Sequence, residues 1–209
     1  MATSIAKEII LKKIRQALSN PVPLPFPNSE GSQTVYKIST EENAVVFAEE
    51  FTKLQGKFAF CEDEKDLLIQ LNQLIITKGW TKIFATEPSL LTLLNLIQTT
   101  PWPQLESCDV SLTLCEYLVA RTGTIVLSAA QHTGRTASVY APIHICIARN
   151  SQLVYEIKDA LHLLKEKYSG ALPSFISFAS GPSRTADIEK TLVTGVHGPK
   201  EVYCFLIDG

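Results

Sequence analysis

Ile143-His-Ile-Cys-Ile-Ala148 is a short run of apolar and β-branched residues, the composition of a strand held inside a core. Val110–Leu114 and Thr124–Leu127 before it, and Phe175–Phe178 after it, are runs of the same kind. Glu201–Ile207 closes the chain as a last strand, too apolar to be a free tail. Between these runs, Val154 to Tyr168 has helical spacing, with Ile157, Leu161, Leu164 and Tyr168 on one face. Upstream, helix and strand alternate. Glu41–Leu54 reads as a helix carrying Val45, Phe47, Ala48 and Phe51, and Lys57–Cys61 as a strand. Glu64–Thr77 reads as a helix ending near Gly79, Lys82–Ala85 as a strand, and Pro88–Gln98 as a helix with proline suitably near its start. This alternation predicts an α/β fold, a mostly parallel sheet covered by helices.

Further out, Ile5, Ile9, Ile10, Leu11, Ile14 and Leu18 form a helical stripe. Asn20-Pro-Val-Pro-Leu-Pro-Phe-Pro27 stops it, because alternate prolines force an extended backbone. Residues 1–34 are therefore expected to be a helix plus linker, able to dock on another subunit, and residues 35–209 the α/β domain.

Composition narrows the function classes. Hydrophobic residues make up 45% of the 209 and charged residues 19%, against a usual charged share of about 25%. That leaves apolar surface for a partner or a homo-oligomer. The net charge is −2 and no basic stripe stands out, which argues against nucleic acid. No apolar run approaches the ~18–20 residues of a membrane span. The first eighteen residues carry charges and lack a cleavage site, so no signal peptide is expected and the location is cytoplasmic. The five cysteines are scattered without a C-x-x-C, which predicts free thiols and neither metal nor cofactor in this chain.

Three glycine-containing stretches carry the chemistry. Thr122-Gly-Thr124 places a glycine and two hydroxyls before a strand; it reads as a plain turn or as a ligand-facing loop. Gly181-Pro-Ser-Arg-Thr-Ala-Asp-Ile-Glu189 reads as a strand exit followed by a helix. Thr185 or Ser183 would cap that helix, with Asp187 and Glu189 in its first turns. Arg184, a cation at a helix start, is either an anion clamp or a partner of Asp187. Gly195-Val-His-Gly-Pro199 sets His197 on a loop, as an acid or base or as a brace. Gly181–Thr185 resembles a nucleophile elbow around Ser183 but ends in Thr rather than Gly. Phosphate-loop, dinucleotide and zinc-protease signatures are absent.

Together with Gly134-Arg135, Pro142-Ile-His144 and the Val202–Asp208 strand, these stretches resemble the lactate-utilisation protein C family, whose domain is termed LUD. The resemblance covers about half the chain, from near residue 115 to the end. It implies a fold similar to the sugar-phosphate isomerase and CoA-transferase group. It also implies an accessory subunit of an oxidoreductase system that converts L-lactate to pyruvate. Cysteine-rich partners of the same operon would carry the iron–sulfur clusters. The alternative is a free-standing enzyme of that fold taking a small anion. The candidate catalytic residues are Ser183 and His197. The candidate ligand-binding residues are Thr122, Gly123, Thr124, Arg135, Gly181, Arg184, Thr185 and Gly198. Thr122, Gly123, Thr124, Arg184 and His197 are expected to meet in one cleft at the carboxyl end of the 175–178 strand. Arg121 departs from the family pattern, which has an acidic residue there.

Overall fold

Capping residues set the helix bounds in the first half. Asp63 accepts a hydrogen bond from the Asp66 N–H at 2.8 Å and opens a helix that Gly79, at φ 67°, ends in left-handed geometry. Pro88 occupies the first turn of the next helix. The computed structural model describes residues 5–19, 40–188 and 191–208. The elements are α1 (Ile5–Leu18), α2 (Asn43–Lys53), β1 (Lys57–Cys61), α3 (Glu64–Lys78), β2 (Ile83–Phe84) and α4 (Pro88–Leu96). Then come β3 (Val110–Leu114), β4 (Tyr117–Val119), β5 (Thr124–Ser128), α5 (Ala137–Tyr140), β6 (Ile143–Arg149), β7 (Leu153–Val154) and α6 (Ile157–Lys167). The last are β8 (Ile176–Ala179), β9 (Arg184–Ile188), β10 (Thr191–Thr194) and β11 (Glu201–Ile207).

The chain divides into two contact units, residues 1–39 and 40–209. In the first, α1 leaves Ile9, Ile10, Ile14 and Leu18 exposed. The expected linker at 20–34 lies outside the described residues. No described helix is long and apolar enough to cross a membrane.

The second unit is built on a five-stranded parallel sheet, ordered β1-β11-β6-β3-β2. Alternation along its strands separates two faces. Leu112, Ile145, Ile147 and Phe205 meet Leu67 and Leu71 of α3 and Leu90 and Leu94 of α4. Cys146, Cys204 and Leu206 meet Phe47 and Phe51 of α2 together with Leu118 and Ile125. Those last two belong to a second sheet, ordered β7-β4-β5-β8, in which β5 is antiparallel to both of its neighbours. Thr124–Leu127 and Phe175–Phe178 are thus strands, as their composition suggested, but not strands of the parallel sheet. Glu116 sits at the β3–β4 junction with its side chain fully buried. It accepts hydrogen bonds from Ser128, Tyr168 and Lys167 at 2.6–2.7 Å. Burial pushes its pKa up, but those bonds outweigh burial and hold it below the usual carboxylate range.

Two local expectations need correction. The helix foreseen after Gly181 is a β-hairpin of β9 and β10. Thr185, Ile188, Thr191 and Val193 are β-branched, and the Gly195 N–H donates to the Ser183 carbonyl at 2.9 Å, closing the hairpin. Ser183 and Thr185 therefore cap no helix. In α6, Ala160 and Leu164 are buried while Leu161 is 38% exposed, so the stripe runs through Ala160. That helix starts at a capping box of Glu156 and Asp159, and Val154 lies in β7.

Candidate functional site

Where β6 and β11 begin, the chain makes two turns that are stitched together. The Ser183 N–H donates to the Pro199 carbonyl at 2.9 Å, and the Lys200 N–H to the Pro142 carbonyl at 2.7 Å. Gly198 packs so closely that a Cβ there would lie 3.0 Å from the Ser183 Cβ. Beside these turns opens a cleft of about 160 Å³. Its walls include Ser138 of α5, Ser177 of β8, Gly181, Ser183, His197 and Gly198, and His144 of β6 also lines it. A neighbouring hollow of about 390 Å³ shares His197 and Gly198 and adds Lys200 and Tyr140. A buried water claims about 30 Å³, so the cleft has room for a molecule of a few heavy atoms.

His144 is the unusual group. Its ring is 1% exposed, and its Nε2 lies 2.8 Å from Thr113 Oγ1. Its Nδ1 is buried with no hydrogen-bond partner. Burial pushes its pKa down to about 4, so the imidazole is neutral at pH 7. A buried polar atom left unpaired costs on the order of 1–3 kcal/mol. If the Thr113 hydroxyl donates to Nε2, Nδ1 carries a proton and is a donor; in the other tautomer it is an acceptor.

The sequence candidates separate into groups. Gly181, Ser183, His197 and Gly198 line the cleft. Thr122, Gly123 and Thr124 do not. Their turn lies under α2, where a Cβ on Gly123 would stand 2.4 Å from the Phe51 amide nitrogen. Thr124 Oγ1 bonds Thr122 Oγ1 at 2.8 Å and Ser180 Oγ at 2.7 Å, so this hydroxyl chain ends one residue before Gly181. Arg135 donates to Ser174 Oγ at 2.6 Å and lies over the Phe175 ring. Arg184 is exposed on β9 opposite Thr194, with Thr185 next to it opposite Val193. Of the five residues expected to converge, only His197 lines this cleft. Arg121 pairs with Glu156 at 2.7 Å. His144, Ser138 and Ser177 were missed as site residues; the one available signal was an imidazole inside an otherwise apolar strand. All five cysteines are free and buried. Among the described residues no group of three or more His, Cys, Asp or Glu is placed to hold a metal ion.

Comparison with known proteins adds a family match, two curated relatives and a solved structure. A family model described as LUD domain matches residues 102–207. A lactate utilization protein C from Shouchella clausii is 36% identical over 126 residues, covering 60% of this chain and 55% of its own. Its namesake from Halalkalibacterium halodurans is 40% identical over 105 residues, 49% of this chain and 45% of the relative. The chain thus spans about half the length of the curated relatives it matches. A crystal structure of a DUF162 family protein from Deinococcus radiodurans superposes with a TM-score of 0.58 at 18% identity, covering 82% of this chain and 99% of the other. That likeness concerns the fold.

Proposed function

We propose, from the premise that this chain belongs to the LUD domain family, that it serves lactate utilisation as an accessory subunit whose cleft holds a small α-hydroxy or α-oxo acid. The observation that carries this reading is the unpaired Nδ1 of buried His144 lining a small cleft among Ser138, Ser177 and Ser183. A neutral imidazole suits either acid. As a donor it meets an oxo group, and as an acceptor it meets a hydroxyl. The serine hydroxyls and His197 supply donors for a carboxylate. In this reading the protein works in the cytoplasm, where L-lactate becomes pyruvate by giving two electrons to cysteine-rich iron–sulfur partners and two protons to solvent. No iron–sulfur cluster is assigned to this chain. The alternative of an independent catalyst gains little, because among the described residues no hydrogen bond joins Ser183 to His197, as a nucleophile–base pair would require.

The test is calorimetric titration of the full chain with L-lactate, pyruvate and propionate, which lacks the α-oxygen. Lactate or pyruvate should bind, propionate at least about tenfold more weakly, and His144→Asn should erase that preference. Equal affinity for all three, or no binding by any, ends the reading.

A further inference from the structure

The parallel sheet has a second opening at its other end. The cleft lies where β6 and β11 begin, at His144 and Val202. A cavity of about 530 Å³ lies where they finish, at Ala148, Arg149 and Ile207. α3 and α4 pack on the same face of the sheet, and the cavity is lined by the start of α3 at Glu64, Leu67 and Leu68 and by α4 along its length from Ser89 to Leu96. Leu67, Leu90, Leu93, Leu114 and Ile147 make its walls and floor. Its volume falls within the roughly 300–1,000 Å³ typical of small-molecule sites. The carboxyl ends of parallel strands are where open α/β sheets usually take ligands.

The rim differs from the walls. Arg149 stands there, paired with Glu64. Both side chains are more than half exposed, so solvent weakens this ion pair. Gln152 is fixed beside it: its Nε2 donates to the Cys115 carbonyl at 2.7 Å and its Oε1 accepts the Arg149 N–H at 2.8 Å. Ser89 and Leu90 bring the first turn of α4 to the lining, and no side chain caps that helix.

We propose that this cavity is a second binding site, for an amphipathic organic anion whose apolar body lies against the leucines and whose acidic head meets Arg149. It is independent of the cleft and of any lactate chemistry there.

Two fluorescent probes of matched shape test it on the full chain: anilinonaphthalene sulfonate, which is anionic, and phenylnaphthylamine, which is neutral. The sulfonate should bind saturably, one per chain. Leu96→Trp, at an exposed rim position, should obstruct the cavity and weaken both probes; Leu93→Trp should do so more strongly. Arg149→Gln should weaken the sulfonate about tenfold and leave the neutral probe unchanged. Melting curves of each variant exclude partial unfolding as the source of fluorescence, and Leu96→Trp decides the matter if Leu93→Trp does not fold. Binding indifferent to Leu96→Trp, or an Arg149→Gln effect equal on both probes, overturns the proposal.

Discussion

Gly123 and Gly198 both stand in turns that lead into a strand, one before β5 and the other before β11. Gly123 has a positive φ of 53°, and a Cβ on it would lie 2.4 Å from one backbone atom of α2 and 2.6 Å from another. Gly198 needs no left-handed backbone, and its nearest contact is the Ser183 side chain at 3.0 Å. The first turn is closed by α2 and its hydroxyls bond one another; the second borders open space with His197 beside it. A glycine with flanking polar residues therefore does not by itself mark a ligand loop. What distinguishes the two turns is whether another element presses on the glycine.

The largest expected effect follows from that difference. In Gly123→Ala neither the backbone angle nor the contacting α2 backbone can yield cheaply, so the variant should lose about 3–5 kcal/mol in urea denaturation. Gly198→Ala should lose clearly less, about 1–2 kcal/mol, because its backbone angle suits alanine and the Ser183 Cβ, at 3.0 Å, need shift by only a few tenths of an ångström with its backbone. Equal losses would erase the distinction between a packed turn and an open one.

The same distinction explains what the sequence made legible. β3 and β11 start and stop where their apolar runs do, because a strand buried on both faces has little polar punctuation inside it, and β1 does so although it is a partly exposed edge strand. Such runs do not reveal which sheet they join, so β5 and β8 read like parallel strands although they pair antiparallel. Ser183-Arg-Thr-Ala-Asp-Ile188 carries residue types that cap helices, yet it pairs with residues 191–194 as a hairpin whose base is tied by Ser183 to Gly195 and Pro199. β4 and β7 are too short for periodicity to show. Gly181, Ser183, His197 and Gly198 were found through local residue types. His144 hid in an apolar run, and the cavity at the carboxyl ends depends on the spacing of α3 and α4, which no local pattern encodes.

The next effect sharpens the contrast between a brace and an open site. If His144 is kept for a ligand, its polarity does little for stability. The double variant His144→Leu, Thr113→Val removes donor and acceptor together and should be within about 1 kcal/mol of the parent at pH 7, or more stable. Its pH response should also change. The unfolded chain protonates His144 near its ordinary 6.5, whereas the folded chain resists until about 4. The stability this contributes is complete above 6.5 and is lost as pH falls toward 4, on the order of 2–3 kcal/mol. Urea midpoints at pH 7 and pH 4.5 should therefore drop further for the parent than for the double variant. Equal drops would mean that the imidazole is not isolated from solvent as its burial implies.

Arg184 carries the smallest expected effect. Its sequence suggested an anion clamp at a helix start, but it stands exposed on a strand opposite Thr194 and does not line the cleft. Exposed substitutions away from special features usually change stability by less than about 0.5 kcal/mol. Charge acting through solvent from outside a site is screened over a Debye length of about 8–10 Å. Arg184→Ala should thus leave the urea midpoint unchanged and shift the affinity for L-lactate or pyruvate less than about threefold, with the residual shift fading as salt is raised. His197 borders the cleft directly, so His197→Ala should weaken the same acids more than Arg184→Ala does. If Arg184→Ala instead removes binding at unchanged stability and independently of salt, the acids are held by Arg184 and not by the cleft beside His197.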